Sequence, residues 1–368
     1  MSDLRAETAR RPREASQVAT ASPRIRRIRT KAPLRISFCG GGTDVLPYAA
    51  EQGGCVLNAT IDRYAYATLV DHRRRDFVVH SLDYNLTKQL DLERPLVYDG
   101  QLDLVKAAIK WLNLRQDSDE AGFELHLHTD APPGSGLGSS SAVVVAMINS
   151  FAEWYGISLS TYDKAHLAYV LEREELRIEG GMQDQYSAVF GGFNFVEFSA
   201  DGVVVNPLRI PPEVVNELQY SLVLCYMGAP RLSAQIIGSQ ISNYEAGQDE
   251  VLMAMQRLKE LTVAMKNALV RGRLDEFGSL LHEAWLSKKR MATEISTPQI
   301  EEAYEEARRC GALGGKISGA GGGGYMYFFC PDETRHRVAD RLEQMGLELT
   351  RFAFEPHGVQ TWGMPFGS

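Results

Sequence analysis

The chain has 368 residues, 44% hydrophobic and 23% charged, a length that exceeds what one hydrophobic core usually supports and predicts two packed domains. A formal charge of −8 argues against a nucleic-acid-binding body. Five scattered cysteines without CxxC spacing, and no apolar stretch of membrane-spanning length, point to a cytoplasmic protein with reduced thiols, no zinc site and no membrane contact.

Residues 1–30 carry eight arginines from Arg5 to Arg29 and few large apolar side chains, and read as a disordered, solvated tail. Arg10 and Arg11 suggest a twin-arginine export signal, but no apolar region follows them. Folded sequence is expected from Lys31. Segment 34–39 is a strand running into Gly40-Gly41-Gly42, and 55–70 and 76–82 are further strands rich in Val, Ile, Tyr and Thr. Segment 102–114 has helical spacing. Segment 123–129 alternates, with Phe123, Leu125 and Leu127 on one face and Glu124, His126 and His128 on the other, as a half-buried strand does. His126 and His128 together offer a metal site, but no third ligand is in sight, so an exposed strand face is the better reading.

A loop at 131–141 leads into a helix over 142–154, followed by a helix over 161–177 and strands at 192–198, 203–208 and 220–226. Val251, Met255, Leu258, Leu261, Met265 and Leu269 then recur at helical spacing, and Gly272 stops that helix. Leu274, Phe277, Leu281, Ala284 and Trp285 begin another. A glycine cluster at 319–324 precedes a strand at 325–330, a helix at 332–345 and a last strand near 348–354. The class is α+β, with a tail over 1–30, an N-terminal domain over 31–212 and a C-terminal domain over 213–368.

Four clusters carry chemistry. Pro132-Pro133-Gly134-Ser135-Gly136-Leu137-Gly138-Ser139-Ser140-Ser141 lies between a strand and a helix. Glycines there let backbone N–H groups converge on an anion, the helix N-terminus adds its dipole, and the serines offer hydroxyls to phosphate oxygens or Mg²⁺. The run lacks the Gly-Lys-Ser/Thr ending of a Walker loop, and a tight turn with capping serines is the competing reading. Lys316-Ile317-Ser318-Gly319-Ala320-Gly321-Gly322-Gly323-Gly324 formally satisfies GxGxxG, but a strand follows it where a dinucleotide fingerprint needs a helix. The third cluster runs from Lys31 through Arg35 and Ser37, on one strand face, to Gly41, Gly42, Thr43 and Asp44. The fourth is Gly180-Gly181-Met182-Gln183-Asp184-Gln185, downstream of Glu172, in which an acid beside glycines is by itself a weak signal.

Together, in this order, the clusters resemble the GHMP kinases, named for galactokinase, homoserine kinase, mevalonate kinase and phosphomevalonate kinase. The resemblance implies an N-terminal domain like ribosomal protein S5 domain 2 and a ferredoxin-like C-terminal domain. It implies that Pro133, Gly134, Ser135, Gly136, Leu137, Gly138, Ser139, Ser140 and Ser141 hold the ATP phosphates. Ser139 or Ser140 and Glu172 match the family's Mg²⁺ ligands, Asp184 the catalytic aspartate, Arg35 the arginine beside it, and Asp44 the aspartate that binds sugar hydroxyls. Gly41, Gly42, Thr43, Gly321 and Gly322 are expected around the sugar.

Galactokinases have Gly-Glu-His before Thr-Asp where this chain has Gly40-Gly41-Gly42. That version, with Gly181–Tyr186 and His282–Lys289, is similar to the heptose 7-phosphate kinases, which phosphorylate the anomeric C1 hydroxyl. A substrate phosphate then needs cations, and Arg231 and Lys288 or Lys289 are the candidates, with solvated basic side chains the competing reading. The resemblance leaves open a kinase for an unphosphorylated sugar such as fucose, a non-catalytic sugar and ATP sensor, and a homodimer.

Overall fold

The computed structural model describes residues 26–71, 76–92, 94–112, 122–228 and 233–365. Arg231 and most of the Arg-rich tail lie outside them.

The N-terminal half opens with β1 (Arg26–Cys39), α1 (Tyr48–Gln52), β2 (Gly54–Asp71), β3 (Phe77–Ser81), β4 (Leu86–Leu90), α2 (Asp103–Leu112) and β5 (Phe123–Thr129). It continues with α3 (Ser139–Tyr155), α4 (Thr161–Tyr169), α5 (Gln183–Phe190), β6 (Phe193–Ser199) and β7 (Gly202–Pro207). Then come α6 (Pro212–Ser221), β8 (Leu222–Tyr226), α7 (Ser233–Glu245), α8 (Asp249–Val270), α9 (Leu274–Lys289) and α10 (Pro298–Arg309). The chain closes with β9 (Gly314–Ile317), β10 (Tyr325–Phe329), α11 (Thr334–Gln344), β11 (Glu348–Thr350) and β12 (Gln360–Pro365).

The large sheet runs β12-β1-β2-β5-β3-β4. The 18-residue β2 is long enough to pair β1 along one edge and to divide the other between β6, over Gly54–Ala59, and β5, over Ala65–Asp71. The alternation read in 123–129 is real: Phe123, Leu125 and Leu127 are buried beneath α3, while Glu124, His126 and His128 face outward. Helix α3 is apolar on nearly all sides because it lies between sheet and flanking helices, and Val144, Val145, Met147, Ile148 and Phe151 are all buried.

The small sheet is antiparallel in the order β11-β8-β10-β9. Numbered along the chain this is 4-1-3-2, the ferredoxin-like arrangement the resemblance implied. Helix α10 starts at a clear signal: the Thr297 hydroxyl accepts from Ile300 N, and Pro298 occupies the first turn.

Two expectations need correction. Residues 26–30, expected within a disordered tail, instead begin β1, paired to β2 on one side and to β12 on the other. Ile28 and Thr30 are buried, and Thr30 joins a hydroxyl chain through Thr361 and Ser150. The arginines at 27 and 29 hide this strand from a composition reading because only alternate positions face the core. Likewise residues 212–221 form α6, so the strand expected from 220 begins at Leu222. β12, at the end of the C-terminal half, belongs to the N-terminal sheet.

The two sheets share one core. Phe38 on β1 meets Phe277 of α9 at 5.3 Å and Tyr327 of β10 at 6.1 Å, both edge-on. Tyr327 Oη and Lys316 Nζ each donate to Ser37 O at 2.8 Å. Among the described residues no helix is long and apolar enough to cross a membrane.

Candidate active site

A cleft opens between the sheets, lined by the turn after β1, the loop after β5, the segment between α4 and α5, the start of α5, and residues of α7 and α9. β1 supplies its floor. Arg35 is 4% exposed, donating from Nε to Asp184 Oδ1 at 2.8 Å and from Nη1 to Gly136 O at 2.5 Å. Its Nη2 lies 2.6 Å from the same Asp184 oxygen. Asp184 occupies the first turn of α5, where the helix dipole favours an acid. The side chain keeps a 20% exposure toward the cleft.

The loop before α3 presses against that pair. Gly134, Gly136 and Gly138 have φ of +76°, +78° and +75°, the left-handed region that glycine enters without strain. A Cβ on Gly136 would lie 2.2 Å from Ser318 O, so the two glycine loops interlock backbone to backbone. Tyr325 N also donates to Ser135 O. No side chain caps α3 at Gly138, which leaves its first N–H groups facing the cleft as an anion would need.

Glu172 is fully buried and sits on a π-helical turn, Val170–Glu175, rather than on a continued α-helix over 161–177. The wider turn presents its carboxylate to α3: Ser140 Oγ donates to Oε1 at 3.0 Å and Ser141 Oγ to Oε2 at 2.6 Å. Gln185 Nε2 donates to Oε2 at 2.6 Å. Hydroxyl and carboxylate oxygens are the hard donors Mg²⁺ takes, so this group fits that ion. Ser140, exposed in the cleft, is free to turn to it, whereas Ser141 is buried and also receives Gln185 Nε2. Ser139 lines the cleft without a bond to Glu172.

The opposite wall is built around Asp44, fully buried, whose Oδ1 accepts from Gly42 N at 2.8 Å and Oδ2 from Gln183 N at 3.2 Å. A Cβ on Gly181 would sit 2.1 Å from Oδ2, which explains the glycine there. Lys288 Nζ enters from α9 and donates to Gly41 O at 2.8 Å and Gln240 Oε1 at 3.0 Å. Burial lowers its pKa to about 8, against the pull of Asp44. Behind it Lys316 is lowered to about 7 by burial and then by Lys288.

Of the residues expected here, Arg35, Gly41, Gly42, Asp44, Gly134, Gly136, Gly138, Ser139, Ser140, Ser141, Glu172, Asp184 and Lys288 line one cleft. Several others do not. Thr43 turns its hydroxyl to Gly40 O and Cys55 O, tying the turn to β2. Leu137 is a core side chain whose carbonyl receives Arg35 N, Ser135 is buried, and Pro133 is exposed outside the cleft. Gly321 and Gly322 pack on Ile295, and Gly319 with Ala320 lines the cleft instead. Lys289 pairs with Glu301 away from it.

Sequence reasoning gave Gln185 no role beyond its place in the fourth cluster, although it donates to Glu172, and it did not place Gln240 or Arg173 at the cleft. Arg173 brings a guanidinium to the cleft, donating to Ile178 O at 3.2 Å and Gly181 O at 3.4 Å. Its only signal was adjacency to Glu172.

Comparison with known proteins agrees with this geometry. Residues 103–192 match the family model for the GHMP kinases N terminal domain, and 265–347 the model for GHMP kinases C terminal. The D-glycero-alpha-D-manno-heptose 7-phosphate kinase of Campylobacter jejuni is 38% identical over 339 residues, 92% of this chain and 99% of that one. A crystal structure described as a D-glycero-D-manno-heptose 1-phosphate kinase from Bacteroides thetaiotaomicron superposes with a TM-score of 0.75 at 34% identity, covering 91% of this chain and 98% of that one. The L-fucokinase/L-fucose-1-P guanylyltransferase of Bacteroides fragilis is 27% identical over 82% of this chain, which spans 34% of that longer protein.

Proposed function

The chain belongs to the GHMP kinases, and we propose that it transfers the γ-phosphate of ATP to the anomeric C1 hydroxyl of D-glycero-D-manno-heptose 7-phosphate, giving the 1,7-bisphosphate. That it is an ATP-dependent sugar kinase follows from the family and from its heptose-kinase relatives. The observation that carries the phosphoryl-transfer reading is the Arg35–Asp184 pair, set at the mouth of the glycine loop and facing the wall that holds Asp44, while the choice of sugar rests on the heptose-kinase relatives.

In-line phosphoryl transfer relies on positioning and charge stabilisation. Asp184 accepts the C1 hydroxyl proton as that oxygen bonds to the γ-phosphorus and the bond to ADP breaks. An anomeric hydroxyl is more acidic than an ordinary alcohol, so modest base help suffices. Arg35 fixes the Asp184 carboxylate from below, and through Gly136 O it couples that carboxylate to the phosphate loop. Asp44, immobilised by two backbone N–H groups, presents its remaining lone pairs to sugar hydroxyls. Lys288 is the cation that α9 brings to the sugar side. Ser140 and Glu172 would hold Mg²⁺, which when bound neutralises charge on the polyphosphate.

The relatives' names favour a phosphorylated heptose, while the fucokinase likeness supports a second reading, an unphosphorylated sugar. A sensor without turnover accounts poorly for a base, a charge clamp and a metal carboxylate assembled in one cleft. The five cysteines are free thiols, four of them buried, which suits a cytoplasmic setting.

The test is ADP release with ATP, Mg²⁺ and, in parallel, heptose 7-phosphate, the same heptose without its phosphate, and L-fucose. Turnover confined to the 7-phosphate, with the new phosphorus signal at C1, supports the proposal. Equal turnover without the 7-phosphate moves the protein to the second reading, and sugar and ATP binding with no ADP removes the kinase mechanism.

A further inference from the structure

The outer face of the large sheet carries a group that the kinase chemistry does not use. The two histidines of the HxH spacing on β5 part company: His128 faces Asp83 and Asp130, while the parallel pairing of β3 with β5 sets His80 directly beside His126. Glu124, two residues earlier on β5, points to the same side. His80 Nε2 lies 2.7 Å and His126 Nε2 3.4 Å from the same oxygen, Glu124 Oε1.

We propose that His80, Glu124 and His126 form a binding site for a single Zn²⁺-class divalent metal ion, bridging β3 and β5 on the face away from the catalytic cleft. Three observations support it. First, the spacing fits: metal–ligand bonds of about 2.0–2.1 Å in a tetrahedron separate ligands by roughly 3.3–3.4 Å. The His126–Glu124 distance is already at that value, and the His80–Glu124 distance has to open slightly. Second, His80 is oriented from behind, because its Nδ1 lies 2.9 Å from Thr87 Oγ1 on β4; this fixes the other ring nitrogen toward the carboxylate, as outer hydrogen bonds do at metal sites. Third, the three side chains are 22–35% exposed, so an ion can enter from solvent and keep a water as fourth ligand.

Two features oppose binding. The imidazoles are stacked at 4.5 Å with an 11° tilt and must turn to aim both lone pairs at one point; that motion is about χ2, a soft torsion. Arg27 on β1 adds positive charge near His126, which repels a cation. The Glu124 carboxylate offsets the repulsion.

None of the three residues lines the catalytic cleft, so the site is testable apart from the kinase reading. The full chain, stripped with chelator, is titrated with ZnCl₂ by calorimetry, and with CoCl₂ by visible absorption. The comparison is with His126→Gln and Thr87→Ala, and far-ultraviolet circular dichroism and ADP release in Mg²⁺ serve as folding controls. The expected result is one Zn²⁺ per chain, a tetrahedral Co²⁺ band and a raised Tm. Thr87→Ala should weaken affinity by roughly 10-fold and His126→Gln by more than 100-fold, with turnover unchanged. Equal uptake by wild type and the folded His126→Gln variant, or no uptake at micromolar Zn²⁺, overturns the proposal.

Discussion

Arg35 Nε lies 2.8 Å from Asp184 Oδ1, joining side chains 149 residues apart at the point where β1 passes under the first turn of α5. Because Arg35 also donates to Gly136 O, the acid, the arginine and the phosphate loop are joined by one set of hydrogen bonds. Asp184→Asn keeps an oxygen for Arg35 but removes the proton acceptor and the negative charge paired with the guanidinium. We expect kcat to fall by about 100- to 10,000-fold with little change in either KM, measured as steady-state ADP release. A kcat within a factor of three of wild type would show that Asp184 is not the base.

Glu172→Gln preserves volume and can still offer its amide oxygen to Ser141 and Gln185. It takes a negative charge from the Ser140 side of the site. The Mg²⁺ concentration for half-maximal turnover should rise by roughly 10- to 100-fold at saturating ATP and sugar. An unshifted Mg²⁺ titration would assign Glu172 a purely structural role.

Gly181 tests the sugar wall. Its φ is ordinary, so the cost of Gly181→Ala comes from contact alone: the new Cβ meets Asp44 Oδ2 at 2.1 Å. Displacing that carboxylate should destabilise the fold by about 1–3 kcal/mol. It should also reduce kcat/KM for the sugar by about 100-fold, with KM for ATP nearly constant. Equal losses for both substrates would mean that the alanine disturbs the whole cleft.

The buried lysines set a pH dependence. Lys316 is lowered to about 7 and Lys288 to about 8, while an unfolded lysine titrates near 10.4. Above pH 7 the unfolded chain therefore holds more protons at these positions, and stability rises with pH, by up to about 1.4 kcal/mol per pH unit for each lysine. The clean window is pH 7 to 8.5. Above it the buried thiols of Cys39, Cys55, Cys225 and Cys330, whose pKa values burial raises, act in the opposite direction. Urea midpoints should climb across that window in wild type and climb less in Lys316→Met; parallel slopes would refute the assignment.

Much of this molecule is local and was therefore readable in one dimension. The alternation in 123–129, the three- and four-residue spacing over 251–269 and the run 132–141 each report a backbone conformation through neighbouring residues alone. So does the resemblance to a kinase family, because its motifs are contiguous. Pairing was not readable. Nothing near Arg27 or Thr361 announces that β1 and β12 will be neighbours, since a strand's partner is chosen by the closure of the whole sheet. For the same reason the serine that meets Glu172, the turning of Thr43 away from the cleft, and the burial of Lys288 beside Lys316 were decided only when α3, α4 and α9 packed together. The sequence alone determined which groups are present and which local shapes they favour. The tertiary structure decided which of them share a dielectric environment and a hydrogen bond, because those are properties of distances between residues far apart in the chain.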